Sequence, residues 1–140
     1  MNAPLPQPVA NADSLPYWNG ARDGQLLIRR CKSCGELHFM PRHVCPHCWS
    51  DNLEWVQAKR TGSVHSFTII RRASAPEFAS RVPYVVALIE LDEGPRMMAN
   101  VLGNDALEVA IGDRVTLTFE VRAGGAKLPQ FQRAATGAAA

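Results

Sequence analysis

The sequence predicts a mainly β protein in which a short N-terminal helix and a metal-binding ribbon precede a five-stranded barrel. Two observations carry this prediction. All four cysteines fall between Cys31 and Cys48, as two Cys-x-x-Cys pairs. From residue 59 onward, strand-like patterns recur in five segments separated by turns rich in glycine, proline and acidic residues. The first observation predicts a ribbon folded around one ion, and the second predicts the barrel.

The two cysteine pairs have the spacing of a structural zinc site. Each pair forms a tight turn that supplies two thiolates, and four thiolates complete a tetrahedron without an open position for water or substrate. We therefore expect one structural Zn²⁺ and no chemistry at the metal. The predicted ligands are Cys31, Cys34, Cys45 and Cys48.

Other uses of these cysteines fit the sequence less well. Two disulfides require an oxidising compartment, whereas the first residues lack the basic start and apolar core of a secretory signal, so we expect a cytoplasmic protein. A redox Cys-x-x-Cys motif normally occurs once and opens a helix in a βαβ unit. Rubredoxin-type iron uses similar turns and stays open as the metal.

The residue after each cysteine pair determines how easily the turn forms. Gly35 follows the first pair and tolerates the positive φ that such turns commonly need. Trp49 stands at the equivalent place in the second pair, where a bulky side chain is costly in a left-handed conformation. We expect either that the second turn is distorted or that Trp49 packs over the metal site.

Length and composition limit the classes of protein. A chain of 140 residues suits one compact unit or two small ones. Its longest apolar run, residues 84–89, has the length of a strand, so we expect no membrane association. Residues 21–72 hold nine Lys or Arg against four Asp or Glu, whereas residues 73–125 hold four against eight. The ribbon half is therefore basic and the later half acidic.

The first ordered element is expected to be a helix. Residues 1–13, rich in proline and alanine, are expected to be a disordered lead-in. The helix is assigned to residues 14–24, with Ser14 as its cap and Gly24 as its stop. Its apolar surface exceeds what it can bury by itself, so it packs on its own domain or docks on a partner. The predicted docking residues are Leu15, Tyr17 and Trp18.

The ribbon is assigned to residues 25–58 and the barrel to residues 59–133. Ribbon strands are expected at 25–30, 37–40 and 53–57, and barrel strands at 62–71, 84–91, 96–102, 114–121 and 128–133. A helical turn near residues 105–109 separates the third and fourth barrel strands. This order is the layout of an OB-fold. Residues 134–140 are expected to form a disordered tail.

Several stretches of the chain together resemble a known family. They include Cys-Lys-Ser-Cys-Gly at 31–35, Phe-Met-Pro-Arg at 39–42, Cys-Pro-His-Cys-Trp-Ser at 45–50, Gly-Ser-Val-His-Ser-Phe-Thr at 62–68 and Leu-Pro-Gln-Phe at 128–131. Over residues 15–133 the chain is similar to the proteins that join a rubredoxin-like zinc ribbon to an OB-fold, long catalogued as a domain of unknown function. Met40 and Trp49 depart from residues frequent in that family, and neither is a metal ligand.

The resemblance implies a function in acyl-CoA and lipid metabolism. Members look like accessory subunits that dock on thiolase-superfamily enzymes and help hold the acyl-CoA, while the catalytic residues belong to the partner. The resemblance therefore implies a coenzyme A thioester as ligand, a thiolase-like partner that runs a condensation, thiolysis or retro-aldol reaction, and no catalytic residue in this chain. It leaves open whether the chain forms a dimer or part of a hetero-oligomer.

The residues themselves offer little independent chemistry. His65 and Ser66 are neighbours on a strand and point to opposite faces, so they cannot act as a couple, and we expect His65 to line a pocket or lie in the core. Glu90, Asp92 and Glu93 flank a turn where charges are normally solvated. A free-standing acyl-CoA-binding protein or thioesterase that depends on His65 is the alternative enzyme hypothesis.

Nucleic-acid binding is a second alternative, because zinc ribbons and OB-folds both serve in it. Where an OB-fold needs stacking aromatics, the second and third barrel strands offer Tyr84, Met97 and Met98 in acidic surroundings. The charge that dominates such binding is missing there, so we expect no nucleic-acid partner. A contact through the ribbon alone stays open, with candidates Arg29, Arg30, Lys32 and Arg42.

Coenzyme A needs cations for its phosphates, an apolar channel for its acyl arm and a cover. The long loop at residues 73–83 is a candidate cover, because long loops without secondary structure often have a function. The basic half of the chain supplies most of the cations. The predicted acyl-CoA-binding residues are Arg42, Lys59, Arg60, Phe67, Arg71, Arg72, Phe78 and Arg81.

Overall fold

The computed structural model describes residues 5–134, so the predicted disorder at residues 1–4 and 135–140 lies outside the described residues. The mainly β fold, with one helix, a ribbon and a closed five-stranded barrel, is confirmed. Short 3-10 turns lie at Pro76–Phe78 and Ala106–Glu108. The regular elements are α1 (Leu15–Arg22), β1 (Leu27–Cys31), β2 (Leu37–His38), β3 (Leu53–Gln57), β4 (Thr61–Ile70), β5 (Tyr84–Leu91), β6 (Arg96–Leu102), β7 (Arg114–Val121) and β8 (Lys127–Arg133).

Helix α1 is anchored by its aromatic face. Tyr17 is buried, and its ring meets Phe39 edge-to-face at 5.6 Å, which ties the helix to the ribbon. Gly24 ends the helix at φ +78°, as predicted. Ser14 occupies the predicted N-cap position, but its hydroxyl accepts the backbone N–H of Asn11 at 3.0 Å and caps no helical N–H. The Asn11 side chain accepts the Ser14 N–H in return at 2.8 Å, so the two residues fix the turn before the helix.

The ribbon is a three-stranded antiparallel sheet in the order β2-β1-β3. The central strand β1 pairs with β3 over its whole length, from Leu27 opposite Gln57 to Cys31 opposite Leu53. Ile28 faces the core and is fully buried. The first metal-binding turn therefore starts directly from the most strongly paired strand of the ribbon.

The barrel closes in the order β4-β5-β6-β8-β7, with β7 pairing back onto β4. Strands β6 and β8 run parallel and all other neighbours run antiparallel. Strand β5 alternates strictly, so that Val85, Ala87, Ile89 and Leu91 point into the barrel and are buried. Phe131 of β8 fills the same interior.

A β-bulge in β4 was not predicted. The register against β5 shifts between Val64 and Ser66, which leaves His65 unpaired. His65 is exposed, so the expectation that it lines a pocket or the core was wrong. Because the extra residue resets the alternation, Phe67 and Ile69 turn inward and pack against the barrel core.

The helix, ribbon and barrel are joined by hydrogen bonds at one junction. The Ala58 N–H donates to the Leu26 carbonyl at 2.8 Å, and the Arg60 guanidinium donates to the Gly24 carbonyl at 2.9 Å. The Arg60 guanidinium also lies 5.8 Å from the Phe119 ring. Between residues 5 and 134, none of the helices has the length and apolar character needed to cross a membrane.

Candidate functional site

The four cysteine sulfurs converge on one point. All four lie within 4.8 Å of one another, with Cys31 3.6 Å from Cys48 and Cys34 3.7 Å from Cys45. A tetrahedral zinc with Zn–S bonds of about 2.3 Å has S–S edges of about 3.8 Å, whereas a disulfide is about 2.05 Å long. The four cysteines therefore fit a single tetrahedral metal ion and form no disulfide.

Backbone N–H groups point at two of the four sulfurs. The Cys34 N–H points at the Cys31 sulfur at 3.4 Å, and the His47 N–H points at the Cys45 sulfur at the same distance. The backbone N–H of Cys34 lowers the pKa of the Cys31 thiol to about 6, which favours the thiolate that a metal requires. Cys31 and Cys45 are fully buried. The site is thus suited to fixing the ribbon.

The two metal-binding turns are equivalent in their backbone geometry. Gly35 donates its N–H to the Cys31 carbonyl at 2.8 Å, and Trp49 donates to the Cys45 carbonyl at 2.8 Å. Gly35 has φ +80° and Trp49 has φ +69°. Both expectations for Trp49 were wrong, because its turn is undistorted and its side chain is 80% exposed instead of packing over the site. The Cys-x-x-Cys turn thus adopts the left-handed conformation even where no glycine is present.

An apolar cavity of about 520 Å³ lies under α1, against the outer face of the barrel. Val86 and Asn100 line it; they alternate with barrel-facing neighbours and therefore point outward from β5 and β6. Trp18 of α1 and Phe39, just after β2, form the opposite wall. The helix, the ribbon and the barrel thus all contribute to the cavity wall.

One edge of this cavity carries an unusual charge cluster. Arg122, on the turn after β7, lines the cavity and is only 6% exposed. Its Nη1 lies 3.1 Å from a Glu120 oxygen, but neither this nitrogen nor Nε makes a hydrogen bond to any residue between 5 and 134. Arg81 donates to the other Glu120 oxygen at 2.6 Å. Two guanidinium groups therefore share one carboxylate.

Two other polar side chains in the cavity wall, Asn100 and Gln130, are satisfied by the protein. The Gln130 side chain accepts the Asn100 N–H at 2.6 Å and donates to the Asn100 side chain at 3.1 Å. Asn100 also donates to the Val85 carbonyl at 2.8 Å. Arg122 is thus the cavity residue with buried donors left over.

Exposed apolar side chains surround the mouth of the cavity. Met98 of β6 is 70% exposed, and Met40 lines the same opening and is also exposed. Leu15, at the start of α1, is also exposed but lies outside the cavity lining. Exposed apolar side chains around one cavity are typical of a surface that another molecule covers.

The predicted acyl-CoA residues have different surroundings. Phe78 lines the cavity, and Arg81 reaches its charge cluster through Glu120. The remaining predicted residues lie elsewhere: Arg42 in a cleft with Asp13 and Arg29, Lys59 and Arg60 at the ribbon–barrel junction, Phe67 against the barrel core, and Arg71 and Arg72 exposed after β4. Of the predicted docking residues, Tyr17 and Trp18 line the cavity and Leu15 is exposed.

The carboxylates near the β5–β6 turn are each engaged separately. Asp92 accepts both terminal nitrogens of Arg114, at 2.9 and 2.8 Å, and the Thr61 hydroxyl. The Arg114 and Thr61 hydrogen bonds lower the Asp92 pKa to about 2. Glu93 accepts the Lys59 N–H. These acidic groups are therefore committed to structure instead of forming an acid–base pair.

Sequence reasoning missed Glu120 and Arg122. A lone arginine before an Ala-Gly-Gly-Ala turn has the signature of a solvated charge. Only the position of the β7–β8 hairpin against the cavity buries it, and neither strand pattern nor local composition carries a signal for that contact.

Comparison with known proteins places both parts of the chain in one family. Residues 18–54 match the family model described as ChsH2, rubredoxin-like zinc ribbon domain, and residues 55–120 match the one described as ChsH2, C-terminal OB-fold domain. The probable enoyl-CoA hydratase alpha subunit of Thermomonospora curvata is 36% identical over 129 residues, which are 92% of this chain and 40% of that protein.

Two further similarities concern subunits and complexes. The benzoylsuccinyl-CoA thiolase subunit BbsA of Geobacter metallireducens is 35% identical over 95 residues, which are 68% of this chain and 57% of that protein. The chain therefore spans less than two thirds of both relatives. A solved structure described as the Ltp2-ChsH2(DUF35) aldolase has a TM-score of 0.82 and 35% identity, covering 92% of this chain and 100% of that chain. The chain belongs to the DUF35 family, built from a ChsH2-type rubredoxin-like zinc ribbon and a ChsH2-type OB-fold domain.

Proposed function

We propose that this protein is a zinc-stabilised accessory subunit that docks on a thiolase-like enzyme and helps bind that enzyme's acyl-CoA substrate. The observation that carries the proposal is the apolar cavity under α1, with the exposed side chains of Met40 and Met98 at its mouth. A partner pressed onto this rim covers exposed apolar surface and encloses the cavity in the same step.

The relatives support a partner enzyme. One is named as a thiolase subunit, one as a hydratase alpha subunit, and the structural neighbour as an aldolase containing a DUF35 chain. Their substrates are carried as coenzyme A thioesters in the first two names. The reaction, whether condensation, thiolysis or retro-aldol cleavage, belongs to the partner in this proposal.

The cavity supports acyl-group binding better than nucleotide binding. Its walls are aromatic and aliphatic, and its one residue with unused buried donors is Arg122. A pocket of this kind suits an apolar acyl arm, whereas the multiply charged nucleotide end of coenzyme A needs several exposed cations. We assign the acyl arm to the cavity and leave the nucleotide end to the basic residues outside it, Arg71 and Arg72 among them.

The metal site acts as structural support in this proposal. Four cysteines would hold one Zn²⁺ as a closed shell, and its removal would release the loops that place Phe39 and Met40 at the cavity. Metal analysis of the purified protein should give one zinc per chain and a colourless solution. A red protein with one iron would show that the ribbon binds rubredoxin-type iron instead.

Co-purification tests the docking proposal. The tagged full-length chain, expressed in its native host, should elute as a defined complex with a protein whose peptides identify it as a member of the thiolase superfamily. Met98→Glu should abolish the complex, because it places a charge on the rim. Ile111→Glu is the matched control, since Ile111 is also 70% exposed but lies outside the cavity lining. A complex that survives Met98→Glu, or the absence of a thiolase-like partner, would overturn the proposal.

A hydrolysis assay separates this function from that of a free-standing thioesterase. The purified chain alone should not hydrolyse acyl-CoA. His65 is exposed on the β4 bulge and does not form a nucleophile–base pair with Ser66, its neighbour on the strand. Hydrolysis that is lost in His65→Ala would instead identify the chain as an enzyme.

A further inference from the structure

We infer that the cavity selects an acyl group that carries a carboxylate in addition to its thioester, and that Arg122 is the residue that recognises it. This inference deepens the proposed function and rests on it, because the acyl arm is taken to be what enters the cavity. It names a substrate class and a specificity residue, both argued from the charge cluster.

The first step is the charge balance of the cluster. Arg81 and Arg122 both approach the carboxylate of Glu120, at 2.6 and 3.1 Å, so the three side chains carry one positive charge in excess. Arg122 is more than nine-tenths buried. A buried cation without full compensation is costly, and it becomes favourable when an anion binds beside it.

The second step is the set of polar groups in the cavity wall that lack a partner. Nε and Nη1 of Arg122 are buried and lack hydrogen-bond partners, although Glu120 is close enough to attract them electrostatically. The Asn100 and Gln130 side chains, which face the same cavity, bond to each other and need no ligand. A ligand acceptor therefore gains most at Arg122, whose guanidinium is the charged donor in the cavity wall.

The third step is the shape and polarity of the remaining wall. Trp18, Phe39 and Val86 offer apolar surface, and the volume of about 520 Å³ falls within the range of roughly 300–1,000 Å³ found for small-molecule sites. A phosphate or sugar would leave its own polar groups unpaired against these side chains. One carboxylate attached to an apolar chain or ring satisfies both the wall and Arg122.

Ligand titration into the zinc-loaded full-length chain tests this inference. The probes are decanoate and 1-decanol, which share an alkyl chain and differ in charge, and binding is followed by calorimetry. Decanoate should bind saturably with one site per chain, and at least about tenfold more tightly than 1-decanol, the ratio expected for a charged hydrogen bond. Failure of decanoate to bind, or equal affinity for both probes, would overturn the assignment.

Substitutions locate the site. Arg122→Met should weaken decanoate binding about tenfold or more and leave 1-decanol binding unchanged. Arg22→Met is the matched control, since Arg22 is exposed at the end of α1 and lies outside the cavity lining, and it should change neither affinity. Val86→Trp should block both probes by filling the cavity. Wild-type affinity for decanoate in Arg122→Met or in Val86→Trp would show that the ligand binds elsewhere.

A fourth variant tests whether the net charge of the cluster controls binding. Glu120→Gln removes the shared carboxylate, so the cluster gains one positive charge and decanoate should bind more tightly than it does to wild type. Weaker binding would contradict the argument. These titrations need no partner protein, so their failure would remove the carboxylate assignment and leave the result of co-purification standing.

Discussion

Replacing Trp49 by glycine should stabilise the protein, although it deletes a large side chain. Trp49 adopts φ +69° and is 80% exposed, so its side chain contributes little burial while its backbone lies in the left-handed region. A left-handed conformation destabilises the folded state by about 1–2 kcal/mol when the residue is not glycine. Substitution by glycine recovers only part of this, because it gives the unfolded chain more conformational freedom, which costs about 0.4–1 kcal/mol of stability. The net expectation is a gain of about 0.5–1 kcal/mol.

Urea unfolding with excess zinc measures this change. The free energy of unfolding of a small protein falls by about 1–3 kcal/mol per molar urea, so the expected gain in stability raises the urea concentration at the unfolding midpoint by about 0.2–1 M. Trp49→Ala separates the two contributions, because it removes the aromatic ring and keeps a β-carbon at positive φ. It should stay within about 0.5 kcal/mol of wild type.

The first metal-binding turn provides the reciprocal control. Gly35 has φ +80° with open space around the position of a β-carbon, so Gly35→Ala should destabilise by about 1 kcal/mol through backbone conformation alone. If Trp49→Gly lowers the midpoint while Gly35→Ala also lowers it, the Trp49 ring makes stabilising contacts and the reasoning is refuted. Equal midpoints for Trp49→Gly and Trp49→Ala would show that the left-handed conformation has no net cost, which would also refute the reasoning.

Three further predictions follow from buried groups. Chelation of the metal, or Cys45→Ser, should unfold the ribbon, because all four sulfurs converge on one metal position. In an NMR spectrum, the dispersed amide signals of residues 27–57 should be lost. Burial lowers the pKa of His38, whose ring nitrogens lack partners. The folded state therefore resists its protonation, so stability should fall as pH drops below about 6.5, and His38→Leu should flatten that dependence in urea unfolding. Gly62→Ala should lower the thermal midpoint because its β-carbon would lie 2.7 Å from the Glu90 carbonyl oxygen, a clash worth about 1–3 kcal/mol.

The metal site was predictable because its signal is local. Each Cys-x-x-Cys pair closes over four residues, and the chain between Cys34 and Cys45 is short enough that both turns share one ion. The barrel strands were predictable for a similar reason. Val85, Ala87 and Ile89 alternate with outward-facing residues. This two-residue period is a property of a single extended strand and does not depend on its pairing partners.

The cavity and its cluster were decided by tertiary structure. Glu120 and Arg81 are 39 residues apart and meet only because the loop before β5 folds against the end of β7. The bulge that exposes His65 is likewise set by register against β5, and a single strand has no register of its own. The sequence by itself thus determined the ribbon, the strands and their order, whose causes lie within a few residues. Tertiary packing alone decided that Arg122 is buried and Trp49 is exposed, because the burial of a side chain depends on contacts with residues that are distant in the sequence.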